Sequence, residues 1–529
     1  MAPGLTRRSF LNLVGMAGGV SAAYRTMEAM GLLPIPEAYA GPPTLPAGSG
    51  KGTKVIILGA GIAGMVAAYE LRKAGYRCTL LEARARAGGR NWTIRGGDTV
   101  EETDSKQPVA WDKADHLYLN PGPARLPYHH DGILGYCREL SVPLEVMVND
   151  NRGAYFQDDR AFDGRPQRSR AVINDARGYV AELAAKALDK TALDLPISVE
   201  DAEGIRQFLR HFGWLDRQMR FRGTPRAGFA LPPGAGSQQG RLNAPLDLHQ
   251  LVAAEFWQEY SSFGESYEQA ATMLQPVGGM DRIGKAFRRA LGPAILLNAE
   301  VTQIRRTSAG ARVIWRDRRT GKSHGSEAAF VICTLPFAVL GSIDADFSAE
   351  VRAAIAALAY ASCVKIGFQC DRRFWELDEQ IYGGISWTSR EITQIWYPSA
   401  GINRKKGILL GAYVWTDSIG KSVSAKSPTE RIALAITSGE RVHPGYREKV
   451  GHGVSVAWSK IPFSSGAYSE WTAETRRLHY STLLKADGPF YFAGEHVSYL
   501  TGWQEGAVRS AHYAIEQLTR RVGASNGKG

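Results

Sequence analysis

Apolar positions in this chain fall into short blocks with two periods, separated by glycine clusters. After Lys54, the four apolar residues Val55-Ile-Ile-Leu58 lead straight into Gly59-Ala-Gly61-Ile-Ala-Gly64. Such a run predicts a buried strand of a parallel sheet. Residues 65–71 then take helical spacing, and Thr79-Leu-Leu-Glu82 predicts a second strand that ends in an acid. Helical spacing returns at 172–188 and 205–219, with a Pro/Gly-rich loop at 224–240. It returns again at 281–291, ahead of a predicted strand over 295–304. Residues 361–370 alternate into an apolar strand that carries one lysine, Lys365, and 407–415 predict another strand. Near the end, Phe490-Tyr-Phe-Ala-Gly494-Glu495 leads through a loop into a helix running to about residue 518. Strands alternating with helices predict an α/β protein.

Composition changes this picture little. At 529 residues the chain is too long for one core, so two or three lobes are expected. The 44% hydrophobic and 22% charged residues exclude disordered and collagen-like classes. A net charge of +12 is scattered in short clusters such as Arg305-Arg306 and Arg316-Asp-Arg-Arg319, not interleaved with aromatics. A solvated basic surface explains it, and no nucleic-acid partner is expected. Five cysteines with no CxxC or zinc-type spacing predict buried thiols, with no disulfide framework and no metal site. The first forty residues stand apart. Thr6-Arg-Arg-Ser-Phe-Leu11 resembles a twin-arginine export signal, and Ala38-Tyr-Ala40 offers a small-x-small cleavage site. Arg25 and Glu28 interrupt the expected apolar region. Export to the periplasm or outside the cell is the expectation, and a cytoplasmic protein with an uncleaved extension is the alternative. No later apolar run is long enough to span a membrane. Residues 41–51 make a linker.

Candidate chemistry begins at the glycine turn. Gly59 suits the turn itself, Gly61 lets a pyrophosphate approach the main chain, and Gly64 lets helix and strand pack closely. Glu82, eighteen residues past Gly64, stands where an acid can accept hydrogen bonds from a ribose. Gly88-Gly89-Arg90 adds a second close approach and a cation able to pair with phosphate. Farther on, Asn120-Pro-Gly122-Pro-Ala-Arg125-Leu-Pro127 holds one arginine on a stiff backbone. A guanidinium so held is either a turn cation or a two-pronged grip for a carboxylate. Lys365 faces either solvent or the interior, since alternation permits both.

Residues 55–64 and 80–90 resemble the N-terminal signature of the FAD-dependent amine oxidases, a family that includes monoamine oxidase and L-amino-acid oxidase. A nicotinamide dehydrogenase is disfavoured, because the second glycine pair and Arg90 belong to the flavin pattern. The resemblance extends over residues 52–520. It implies a Rossmann-like FAD-binding lobe of the glutathione-reductase type (52–125, 275–345, 484–523) and a mixed-sheet substrate lobe (126–157, 241–274, 346–483). A helical insertion (158–240) completes the architecture. Gly59, Gly61, Ala63, Gly64, Glu82, Ala83, Arg90, Gly122, Pro123, Ala124 and Arg125 are assigned to the cofactor's surroundings. Val301 is added through its backbone beside the adenine, with Glu495, Gly502, Trp503, Gly506 and Ala507 from the last lobe.

The segment 120–127 looks like the Gly-Pro-x-Arg-x-Pro stretch of L-amino-acid oxidases, whose arginine holds the substrate carboxylate. The resemblance implies that Arg125 and Tyr413 hold that carboxylate, with Gly502 and Trp503 bordering the substrate. It implies that Lys365 holds a water beside the flavin. Ala467 stands where monoamine oxidases carry the cysteine that bonds to the flavin, so non-covalent FAD is expected. The implied activity is oxidation of an L-amino acid by O2 and water to a 2-oxo acid, ammonium and H2O2. An L-amino-acid 2-monooxygenase, which releases amide and CO2, shares these residues. An oxidase of amines without a carboxylate is the third reading. A homodimer is compatible with all three.

Overall fold

Val55 and Ile57 of the strand Lys54–Leu58 join one hydrophobic cluster, and Ile56 and Leu58 join another. This alternation places the strand at the centre of a layered lobe. The computed structural model describes Tyr39 and residues 41–189 and 197–526. The twin-arginine stretch lies outside them, as do Ala38 and Ala40 of the cleavage site. Residues 1–43 and 44–529 separate into two units, and the second carries both large sheets.

Five parallel strands run in the order Ile295–Leu297, Arg77–Glu82, Lys54–Leu58, Phe330–Cys333, Phe490–Phe492. They come from three separated stretches of the chain. The helices Ile62–Lys73, Asp281–Leu291 and Gln504–Asn526 cover one face through Val66, Phe287 and Ile515. The other face meets the antiparallel strands Ala299–Thr307, Gly310–Asp317 and Ser323–Ala328 through Ile304 and Val313. Each large apolar side chain buried this way contributes about 1.5–3 kcal/mol, so both faces of the central strand hold the lobe together.

Two sequence expectations need correction. The apolar stretch 295–304 is two strands in two sheets, Ile295–Leu297 and Ala299–Thr307. Asn298 between them adopts a left-handed φ of 63°, and its N–H donates to the Arg84 carbonyl at 3.0 Å. Asparagine tolerates that conformation, which turns the chain from one sheet into the other. The helix expected at 205–219 is Val199–Gly213. The Ser198 side chain accepts from the Asp201 N–H at its start, and Trp214 ends it in a left-handed conformation. Apolar spacing after Trp214 belongs to packing, since Leu215 and Phe221 fill the cluster that joins this helix to Ser169–Asp189.

The second large sheet has seven strands, ordered Gln167–Arg168, Tyr155–Gln157, Gly384–Thr388, Gln394–Tyr397, Gly407–Val414, Val364–Cys370, Gly451–Ala457. It is mixed, with one parallel pairing at Trp387↔Phe156. Every residue of Val364–Cys370 is buried, and its register sets Lys365 opposite Tyr413. All five cysteines are free and buried. No helix among the described residues is long and apolar enough to cross a membrane.

Candidate active site

The strand Lys54–Leu58 turns at Gly59, where φ is +96°. Gly61 then caps the following helix with φ −77°, a conformation open to any residue. A Cβ on Gly61 would meet nothing within 4 Å, whereas one on Gly64 would lie 2.1 Å from the Gly59 carbonyl oxygen. Gly61 therefore faces open space and Gly64 is packed. The Gly88 N–H donates to the Ala60 carbonyl at 2.8 Å, which sets the second glycine pair against the first loop. Glu82 is buried, with Oε2 accepting from the Ala60 N–H at 3.0 Å and Oε1 from the Arg84 N–H at 2.9 Å.

These residues border a cavity of about 690 Å³, within the range of about 300–1,000 Å³ usual for ligand sites. Every site residue named from the sequence lines it except Gly64 and Gly506. Gly506 is likewise packed, since a Cβ there would lie 2.3 Å from the Leu500 carbonyl oxygen. Ala63, Ala83, Val301 and Ala507 line the cavity without polar side chains.

Arg90 joins the two sequence signatures, donating to Glu495 Oε1 at 2.9 Å and to the Ala467 carbonyl at 2.7 Å. Glu495 Oε2 accepts from Ser469 Oγ at 2.8 Å and from the Gly502 N–H at 3.0 Å. Burial alone pushes this carboxyl's pKa up. The charges of Arg90 and His496 and the Gly502 and Ser469 hydrogen bonds outweigh it and hold the pKa below the ordinary range. Glu495 is therefore an anion at neutral pH, and it fixes the loop that carries Gly502 and Trp503.

The segment Asn120–Pro127 is anchored on every side. Asn120 Oδ1 accepts from Thr93 Oγ1 at 2.8 Å and from the Met280 N–H at 3.0 Å, and Trp458 Nε1 donates to the Pro121 carbonyl at 2.8 Å. Gly122 leaves no room for a side chain, because a Cβ would meet the Arg90 carbonyl oxygen at 2.1 Å. Pro123 and Ala124 continue along the cavity to Arg125. The Arg125 guanidinium carbon sits 4.7 Å from the ring centre of Trp396, 5.5 Å from Trp503 and 5.6 Å from Phe263. Lys365 points inward and is 3% exposed. Its Nζ donates to the Gly122 carbonyl at 2.7 Å and the Asn120 carbonyl at 3.3 Å, and lies 4.4 Å from the Tyr413 ring centre. Burial, then the nearby Arg125 charge, lowers the Lys365 pKa to about 7. Burial raises that of Tyr413, so its hydroxyl keeps its proton.

Several residues escaped the sequence. Arg84 lines the cavity, donating to the Pro462 carbonyl at 2.6 Å and to Ser464 Oγ at 2.8 Å. Its place two residues after Glu82 was the available signal. Trp396, Trp415, Tyr468 and Gln269 gave no local signal, since the fold alone gathers them at the cavity or against Arg125. The sequence also showed no metal ligands, yet the structure brings His129, His130 and Glu268 together.

The model of the flavin containing amine oxidoreductases matches residues 62–518. The L-amino-acid oxidase of Siganus canaliculatus is 27% identical over 486 residues, covering 88% of this chain and 85% of that protein. The flavin-dependent L-tryptophan oxidase RebO of Lentzea aerocolonigenes is 26% identical over 493 residues, covering 88% and 98%. Among solved structures, wild-type putrescine oxidase bound to putrescine superposes with a TM-score of 0.59 at 19% identity, over 88% of this chain and 99% of that one. Cyclohexylamine oxidase from Brevibacterium oxydans IH-35A gives 0.59 at 16% identity, over 89% and 100%. These two structures share the fold.

Proposed function

The chain belongs to the flavin-containing amine oxidoreductase family, and on that premise we propose that it is an FAD-dependent L-amino-acid oxidase. The observation that carries the substrate class is Arg125, a guanidinium held on a braced backbone in the same cavity as Lys365, Tyr413 and Trp503. Relatives named L-amino-acid oxidase over most of their length support the reading. The putrescine and cyclohexylamine oxidases name substrates without a carboxylate. An arginine among aromatic rings has no task toward such substrates.

The residues fit the cofactor. The open space at Gly61 suits a pyrophosphate against the N-terminus of Ile62–Lys73. Glu82, Arg84 and Arg90 line the same cavity, which supports roles for them toward a ribose and phosphates. Ala467 has no nucleophile, so FAD is held without a covalent bond. FAD supplies the two-electron acceptor, and O2 takes the electrons onward to H2O2. The protein does the rest. Arg125 and the Tyr413 hydroxyl orient the substrate carboxylate, Trp503 and its neighbours exclude water, and Lys365 offers a positive charge where oxygen becomes reduced. The balanced reaction converts L-amino acid, O2 and water to 2-oxo acid, ammonium and H2O2.

Product analysis tests the reading. Purified enzyme given each of the twenty L-amino acids, D-isomers and simple amines is expected to release peroxide and 2-oxo acid with L-amino acids. Amide and CO2 instead would establish the monooxygenase, and turnover confined to amines would remove the amino acid altogether.

The two glycines make a separate prediction about the cofactor. Gly61→Val fits the polypeptide but enters the cavity. It is expected to yield folded protein whose flavin Kd rises at least about tenfold, the loss of roughly 1.4 kcal/mol of binding, measured by titrating flavin into the stripped protein. Gly64→Val strikes the Gly59 carbonyl and is expected to lower the yield of folded protein. A Gly61→Val protein with the wild-type flavin Kd would move the cofactor elsewhere.

A further inference from the structure

The sequence neighbours His129 and His130 enter the helix Asp131–Glu139, and Glu268 lies in the loop before the strand Met273–Pro276. Pairing of Leu126–Pro127 with that strand, extended by the Tyr128 N–H donating to the Thr272 carbonyl at 3.1 Å, brings the two segments together. Glu268 Oε2 lies 2.8 Å from His130 Nε2 and 3.4 Å from His129 Nε2. The three donor atoms fall within 4.8 Å of one another. We propose that they bind one divalent transition-metal ion of the zinc class.

Bonds of about 2.0–2.2 Å from zinc to nitrogen and oxygen set the donor atoms of a tetrahedron about 3.4 Å apart. The His129–Glu268 separation already has that value, the His130–Glu268 contact must open from 2.8 Å, and no pair of donors starts more than 4.8 Å apart. A plain hydrogen bond to Glu268 accounts for His130 Nε2, while His129 Nε2 has only the longer ion-pair approach to the same oxygen and His130 Nδ1 stays unpartnered. Both ring nitrogens of His129 are buried without a hydrogen-bond partner. Buried polar atoms in that condition are rare and costly. A cation at His129 Nε2 relieves one of them. Two imidazoles and one carboxylate form the donor set favoured by zinc, cobalt, nickel and copper, whereas magnesium and calcium prefer oxygen alone. The Glu268 side chain is 29% exposed and that of His130 1% exposed, so an ion enters on the Glu268 side and water completes the coordination.

The site adjoins the candidate active site. The His130 ring meets Trp503 edge-on at 5.1 Å, and Trp503 lines the large cavity. A bound ion ties the helix entry to the loop 266–272 behind that wall. The donors stand independently of which substrate the enzyme oxidises.

The test uses flavin-loaded, tag-free enzyme that has been stripped with a chelator and dialysed against zinc or cobalt. Wild type is expected to retain one ion per chain, to show the visible absorption of four-coordinate cobalt, and to gain Tm with zinc. His129→Ala and Glu268→Gln, each confirmed by an unchanged flavin spectrum and circular dichroism, are expected to bind at least about a hundred-fold more weakly and to gain no Tm. Two variants allow for one that fails to fold. Wild type that takes up no ion overturns the proposal, as do folded variants that take up as much as wild type.

Discussion

Replacing Arg125 with methionine is expected to lower kcat/KM for an L-amino acid by about a hundred- to a thousand-fold while changing turnover of the decarboxylated amine far less. The magnitude is that of removing one partner from a desolvated charge pair, about 2–5 kcal/mol. The position makes the loss specific. Asn120, Pro121 and Gly122 are each pinned by side chains or backbone from other parts of the chain, so the guanidinium reaches the cavity from a support that does not give way. Trp396, Trp503 and Phe263 surround it with low-dielectric surface, where an ion pair with a carboxylate is stronger than in water. Arg125→Lys keeps the charge but loses the planar fork, so partial recovery with poorer orientation is expected. Anaerobic reduction by amino acid and by amine, measured side by side, decides the matter. Equal losses for both substrates, or none for either, would remove the carboxylate from Arg125.

The parts of the fold legible in the sequence were those set by local pattern. The run 54–58 into three glycines announced a strand, a turn and a helix, and these stand at the centre of the parallel sheet. The helix at 281–291 was equally plain, because its apolar face and the glycines before it agree. Local pattern misled where tertiary packing borrowed the same residues. Leu215 and Phe221 continue the helical spacing after the helix has ended at Trp214, and Asn298 divides one apolar run between two sheets.

The candidate site divides along the same line. Arg125, Lys365 and Trp503 stand in distinctive local settings, but each setting left two readings open and only the family resemblance gave these residues roles. The Trp396 ring beside Arg125 could not be, since it arrives from the neighbouring strand Gln394–Tyr397 through sheet register. The inward direction of Lys365 was likewise undecidable from alternation. The structure turns it to the Gly122 carbonyl, and its partners there are carbonyls rather than a carboxylate.

That lysine makes the final prediction. Lys365→Met is expected to slow reoxidation by O2 about a hundred- to a thousand-fold, the usual loss for one preorganised electrostatic donor. Anaerobic reduction by substrate should change little. Because burial and Arg125 lower the lysine's pKa to about 7, wild-type reoxidation should weaken as pH rises through that value, with a flat profile in the variant. The same depression has a sign for stability. Between about 7 and the ordinary value of 10.5 the unfolded chain holds a proton that the folded one has released, so wild-type stability rises with pH across this window. Below it the buried ammonium costs on the order of 5 kcal/mol. Lys365→Met removes that cost, so its Tm should exceed wild type most at pH 6, with the gap closing toward pH 10. Stopped-flow reoxidation and thermal melts across pH measure the two effects separately. Equal oxygen rate constants in both proteins would leave Lys365 without a role in oxygen reduction, and a Tm gap that does not vary with pH would mean that its pKa is not depressed.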